Sequence, residues 1–173
     1  MQEIFQLYNY ARQPISETMV RGGIQPPNTY RTIVQVCLFN SHNELLIQQR
    51  QHDKDSFPNC WDLTAGGSAI QSETSQQAAM RELQEELGLQ YDLTHIAPNH
   101  TTTFPGGFND VYFIHDDINL ERIVLQLSEV QSVKWATCSE IMRLIKSKQF
   151  IPYHPAYIEL LFHRHNHPDN YAV

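Results

Sequence analysis

The sequence predicts an α+β domain in which helices pack on a mixed β-sheet. Strand-like runs flank one strongly marked central helix, and two more helical patterns close the chain. The length of 173 residues, 41 % of them hydrophobic, is that of one ordinary domain with its own core. One domain over 1–173 is therefore expected, with residues 1–30 as an N-terminal hairpin extension.

The elements follow in order. Residues 4–9, IFQLYN, and 16–20, SETMV, read as strands joined by a Pro-bearing turn from Ala11 to Pro14. Gly22, Gly23, Pro26 and Pro27 then break the chain before two stronger strands, TIVQVCLFN and ELLIQQRQ, joined by the turn Ser41-His42-Asn43. Residues 51–60, QHDKDSFPNC, are polar enough for a loop, and WDLTAGG is a short strand ending in glycines. Thr74 with Gln77 three residues on fits a capping box, and Gly88 fits a helix stop, which predicts a helix over 75–87. Its inward stripe is Ala79, Leu83 and Leu87. A strand near 91–104, a tight turn at PGGFN and the strand DVYFIHD come next, then the strand VQSVKWA. Helices over 138–148 and 155–165 end the chain, the second with Pro155 in its first turn.

Composition excludes several classes of function. No apolar run approaches the ~20 residues of a membrane-spanning helix. The N-terminal MQEIFQLYNYARQP puts acid before base and lacks the apolar core of a secretion signal, so a cytoplasmic protein is expected. Cys37, Cys60 and Cys138 are odd in number and form no CxxC pair, which fits a reducing compartment and argues against a zinc knuckle. The net charge of −7 speaks against non-specific nucleic-acid binding. Small phosphorylated ligands stay open, because a metal ion supplies positive charge locally.

Chemistry concentrates in residues 67–89, GSAIQSETSQQAAMRELQEELGL. Glu82 and Glu86, four apart, share a helical face, and Glu85 stands three from Glu82 beside them. Like charges at that spacing destabilise a bare helix, and carboxylates at its C-terminal end oppose the macrodipole. A divalent cation removes both penalties, since hard ions take carboxylate oxygens together with water and phosphate.

The order Gly67, Glu73, Arg81, Glu82, Leu83, Glu85, Glu86, Gly88, Leu89 resembles the signature of the Nudix hydrolases at every defined position. The resemblance implies an α/β/α sandwich with a mixed sheet. It also implies a loop-helix-loop that binds Mg²⁺ or Mn²⁺ and cleaves the pyrophosphate linkage of a nucleoside diphosphate derivative. Carried over by position, Glu85 and Glu86 are the principal metal ligands, and the carbonyl of Gly66 joins them. Glu82 is a further ligand or the base for the attacking water. The base varies within the family, so Glu85 shares that candidacy, and Arg81 orients a glutamate. From the spacing alone, Arg81 reads equally as a surface partner of Glu85. Glu73 braces the loop. A later loop often adds a carboxylate, for which Glu129 is the first candidate, ahead of Asp110, Asp116, Asp117 and Glu121; each reads otherwise as a solvated loop acid.

Substrate contacts are less marked. Arg50 and Lys54 are candidates for phosphate, as are His163, His165 and His167, although these histidines also suit a helix C-terminus. Phe104, with Phe108 and Tyr112, is a candidate for stacking on a base, against the ordinary reading of strand aromatics as core. The implied partner is a small-molecule diphosphate, and a homodimer is common in the family at this size.

The stretch LLIQQRQHDKDSFPNCWDLTAGG is also similar to the isopentenyl diphosphate isomerase branch of the superfamily. Those isomerases place a catalytic Cys before a Gly-His pair, where this chain has Gly66 and, at the His, Ser68. The hydrolase reading is favoured for that reason. A third reading is a domain that binds a nucleotide or metabolite without turning it over; the full set of signature acids favours catalysis over it.

Overall fold

The computed structural model describes residues 3–168. Among the described residues are nine strands, three α-helices and one short 3-10 helix, Leu120–Arg122. The strands and α-helices are β1 (Ile4–Tyr8), β2 (Pro14–Val20), β3 (Arg31–Phe39), β4 (Leu45–Arg50), β5 (Trp61–Asp62), β6 (Ala65–Ser68), α1 (Ser75–Leu87), β7 (His100–Phe104), β8 (Gly107–His115), β9 (Val130–Ala136), α2 (Cys138–Lys146) and α3 (Pro155–Asn166). β1 and β2 form a separate hairpin, and the other seven strands make one mixed sheet in which β3 and β8 run parallel.

Helices cover both faces of this sheet, and the pleat explains how. Val34, Val36 and Leu38 of β3, with Tyr112 and Ile114 of β8, point to one side and pack against Ala79, Leu83 and Leu87 of α1. Their neighbours Cys37, Phe39, Val111 and Phe113 point to the other side and meet Ile141 of α2 and Ile158, Leu161 and Phe162 of α3. Buried on both faces, β3 and β8 therefore read as nearly continuous apolar runs.

The sheet splits where the site lies. β3 and β4 pair at Phe39 and Leu45 and then diverge, and the segment 61–68 fills the gap: β5 pairs with β4, and β6 pairs with β3. Thr64, fully buried between them, holds the two arms together. Its hydroxyl donates to the Leu46 carbonyl at 2.6 Å and accepts from the Leu38 amide at 2.9 Å.

α1 spans the expected residues. The Thr74 hydroxyl accepts from the Gln77 amide, the Gln77 side chain returns the bond, and Gly88 closes the helix in the left-handed conformation, at φ 67°. Elsewhere the boundaries move. The expected strand over 91–104 is β7 alone, because Leu93 turns into the core beside α1 and Tyr91 donates to Asp116. The turn at PGGFN narrows to Pro105 and Gly106, since Gly107 and Phe108 already pair with Arg31 and Thr32 of β3. α2 ends at Lys146 rather than 148, and Lys148 takes a positive φ of 59°.

The N-terminal hairpin is docked at both ends. Phe5, Leu7 and Met19 form a small core with Ile70 of the signature loop, and the Gln71 amide donates to the Ile4 carbonyl at 2.7 Å. At the far end Tyr8 bridges to Tyr30, and Arg12 forms a two-point ion pair with buried Asp110 of β8.

Candidate active site

β6 and α1 face each other across the signature loop, and that approach fixes the site. A Cβ at Gly67 would collide with the Glu82 carboxylate, and one at Gly66 would stand 2.8 Å from the Val34 carbonyl. Glycine at 67 is thus what lets a carboxylate of α1 lie against strand backbone. Gly67→Ala should displace Glu82 and cost on the order of 10²-fold in turnover, as misplacements of about 1 Å do. The check is kcat in a variant whose melting temperature matches the wild type; retained kcat would show that the close approach is dispensable.

Arg81 ties the loop together. It donates to Glu73 through Nε at 2.7 Å and Nη2 at 3.0 Å, to Glu82 at 2.9 Å, to Glu85 at 3.0 Å and to the Ser68 carbonyl at 3.1 Å. These contacts extend beyond a surface pair with Glu85 to Glu73, Glu82 and the backbone of β6. Glu73 also accepts from the Ile70 amide, which links Arg81 to the loop backbone. The Arg81 guanidinium is held firmly charged: burial opposes this, and the Glu73 and Glu82 carboxylates outweigh it.

Glu86 is the least solvated acid of the group, 8 % exposed. Its Oε2 accepts from Gln48 Nε2 of β4 at 2.8 Å and from the Gly66 amide at 3.3 Å. Burial, with the Glu82 charge next, pushes its pKa up to about 8. Burial also raises Glu82, against the pull of Arg81.

Glu82, Glu85, Glu86 and Glu129 line one cavity of about 160 Å³, together with Gly66, Arg50 and Lys54. The structure thus brings Glu129 to the signature acids, through the turn that enters β9, where it pairs with Lys54. Asp110, Asp116, Asp117 and Glu121 are engaged elsewhere, with Arg12, Tyr91, the Ser41 amide and Asn119 respectively. Phe104 does not join the cavity. β7 is the edge strand, and the Phe104 ring lies over Gly107. Phe108 is buried against Tyr30, and Tyr112 is core with its hydroxyl on Ser75. His165 stacks on Phe39 and also on His115, and His163 stacks on His167.

The oxygen-rich donor set suits a hard divalent ion, and a buried carboxylate with a raised pKa is a place where such a charge is favourable. As placed, among the described residues, no three acidic, His or Cys side chains are gathered around one point. Glu82 and Glu85 are turned to Arg81, and Glu129 is turned to Lys54, so coordination requires side-chain rotation. No cysteine lines this cavity: Cys37 is in the core and Cys60 lies by Lys148.

Sequence reasoning missed Gln48 and Asp62. Gln48 left no trace, being the first of the three polar residues, Gln48, Gln49 and Arg50, that end β4. Asp62 lines a second cavity of about 180 Å³ that shares Gly66, Gly67 and Ser68 with the first. It accepts from the Tyr153 hydroxyl at 3.0 Å, and burial pushes its pKa up to about 6. The hydroxyl of Tyr153 in turn accepts from Gln35 of β3 at 2.7 Å.

Residues 29–159 match the model of the NUDIX domain. The chain is 43 % identical over 151 residues to an uncharacterized Nudix hydrolase of Listeria monocytogenes, covering 87 % of this chain and 89 % of that one. It is 31 % identical to the nucleoside triphosphatase NudI of Klebsiella pneumoniae over 64 % of this chain and 84 % of that one. A crystal structure from Deinococcus radiodurans superposes with a TM-score of 0.71 at 24 % identity, covering 86 % and 91 % of the two chains. The chain belongs to the Nudix hydrolase family.

Proposed function

We propose that the protein is a Mg²⁺- or Mn²⁺-dependent hydrolase of the pyrophosphate linkage in a nucleoside diphosphate derivative or related diphosphate. The observation that carries this reading is one cavity lined by Glu82, Glu85, Glu86 and Glu129 together with Arg50 and Lys54. In the proposed site the four glutamates and the Gly66 carbonyl hold the ion. A bound divalent ion neutralises phosphate charge and acidifies a water molecule. Glu82 or Glu85 takes the proton of the attacking water, and Arg81 fixes their carboxylates. Arg50 and Lys54 receive phosphate oxygens. The name of the NudI relative supports nucleoside triphosphates as members of the substrate panel.

The test is phosphate or nucleotide release from a panel of nucleoside diphosphate and triphosphate derivatives, with Mg²⁺, Mn²⁺ or chelator. The expected result is turnover of at least one member that stops with chelator and in Glu85→Gln. Binding of a panel member without turnover would instead favour a non-catalytic domain. Conversion of isopentenyl to dimethylallyl diphosphate would favour the isomerase, a reading that the absence of a cavity thiol disfavours.

A further inference from the structure

The wall of the acidic cavity is completed from outside the matched domain. Glu3 and Arg21 line it, and both belong to the N-terminal hairpin, ahead of the residues 29–159 that match the family model. Glu3 precedes β1 and Arg21 follows β2, so the strand ladder sets them side by side, with the Arg21 amide donating to the Glu3 carbonyl at 3.0 Å. The hairpin reaches the cavity because its base is bonded to the signature loop through Gln71 and Ile4 and packed on Ile70.

We infer that the hairpin is part of the substrate site, and that Arg21 is a phosphate-binding residue in the cavity that the carboxylates of α1 line. The inference rests on the proposed hydrolysis of a diphosphate. A substrate of that class carries at least two anionic groups, and the carboxylate bank repels every one that a metal ion does not neutralise. The rim cations must hold the others. Arg50 and Lys54 also line the cavity, but Lys54 is engaged by Glu129 and Arg50 lies 4.0 Å from Asp62 with its Nε on the Ser56 carbonyl. Arg21 is the least committed. Its side chain is 66 % exposed, and among the described residues its guanidinium bonds only Glu3, through Nη1 at 3.0 Å. The remaining N–H donors form the fork that suits phosphate oxygens. Glu3, itself partly exposed, competes with the incoming phosphate for this fork.

Two substitutions of opposite sense separate this role from a structural one. The probe is methylenediphosphonate, titrated calorimetrically into the full chain in saturating Mn²⁺. Arg21→Gln should weaken binding about tenfold, the loss of one charge-assisted contact, while Arg21→Lys keeps part of it. Glu3→Gln, which releases the guanidinium, should bind as the wild type does or tighter. If Glu3→Gln weakens binding as much as Arg21→Gln, the pair merely staples the hairpin and the inference falls. It falls equally if Arg21→Gln binds within twofold of the wild type, or if the wild type does not bind the probe. Failure of the hydrolase reading is distinguishable. A wild type that turns over no panel member but binds the probe in an Arg21-dependent way supports the inference and overturns hydrolysis.

Discussion

Glu86→Gln is expected to abolish turnover and to raise the melting temperature of the chelator-treated protein. The activity loss should exceed the roughly 10–100-fold that follows from losing a residue that only supports a metal ligand. The stability gain has a separate origin. A carboxylate 8 % exposed, with Glu82 nearby and a single side-chain donor in Gln48, is costly to ionise, and its pKa of about 8 expresses that cost. The folded protein therefore binds a proton that the unfolded chain releases in the ordinary carboxylate range, and stability falls as pH rises from that range through about 8. Glutamine has the same shape, no charge, and an oxygen that still accepts from Gln48. The difference in melting temperature between variant and wild type should be absent below the ordinary carboxylate range and largest above pH 8, where a rise of about 3–8 °C is expected. Scanning calorimetry in chelator across that pH range checks it. A variant less stable than the wild type at pH 8 would show that the buried charge is compensated within the protein.

The signature itself was legible in the sequence because it is local. Gly67, Arg81, Glu82, Glu85 and Glu86 belong to one loop and one helix, whose geometry follows from residue spacing and from caps written in Thr74, Gln77 and Gly88. Glu129 was accessible only as one acid among several, since the turn before β9 reaches the cavity through pairing with β4, 80 residues away for Arg50 and Val130. Gln48, Asp62 and Arg21 depend on the split between β3 and β4 and on the docking of the hairpin. These are tertiary facts with no local pattern. The parallel pairing of β3 with β8 is of the same kind, as is the position of β7 at the sheet edge, which removes Phe104 from the site. Residues 91–99 show the opposite error: alternation suggested a strand, but Leu93 serves the core without a neighbouring strand to pair with.

The hairpin's far anchor gives the second large effect. Arg12→Ala should destabilise the protein by about 2–3 kcal/mol, a fall of roughly 4–12 °C in melting temperature. Asp110 is 1 % exposed and accepts both guanidinium nitrogens, at 3.0 and 2.7 Å, besides the Thr101 hydroxyl. Burial pushes its pKa up, and the Arg12 and Thr101 hydrogen bonds reverse that and hold it below the usual carboxylate range. Removing Arg12 leaves the charge buried with only the Thr101 and Ser75 hydroxyls, which costs more than the pair itself contributes. The loss stays near the low end of such cases because Arg12 is itself 39 % exposed and water can reach the vacated place. Adding Asp110→Asn to Arg12→Ala should therefore recover part of the loss, since the neutral side chain keeps the shape without the charge. The sign with pH follows from the lowered pKa: the stabilisation is present above the ordinary carboxylate range and is lost as pH falls through the folded value. Because the Arg12 guanidinium also lies 5.1 Å over the Phe108 ring, Arg12→Lys should restore stability incompletely. A double variant no more stable than Arg12→Ala alone would show that the cost lies in lost packing on Phe108 rather than in the uncompensated charge of Asp110.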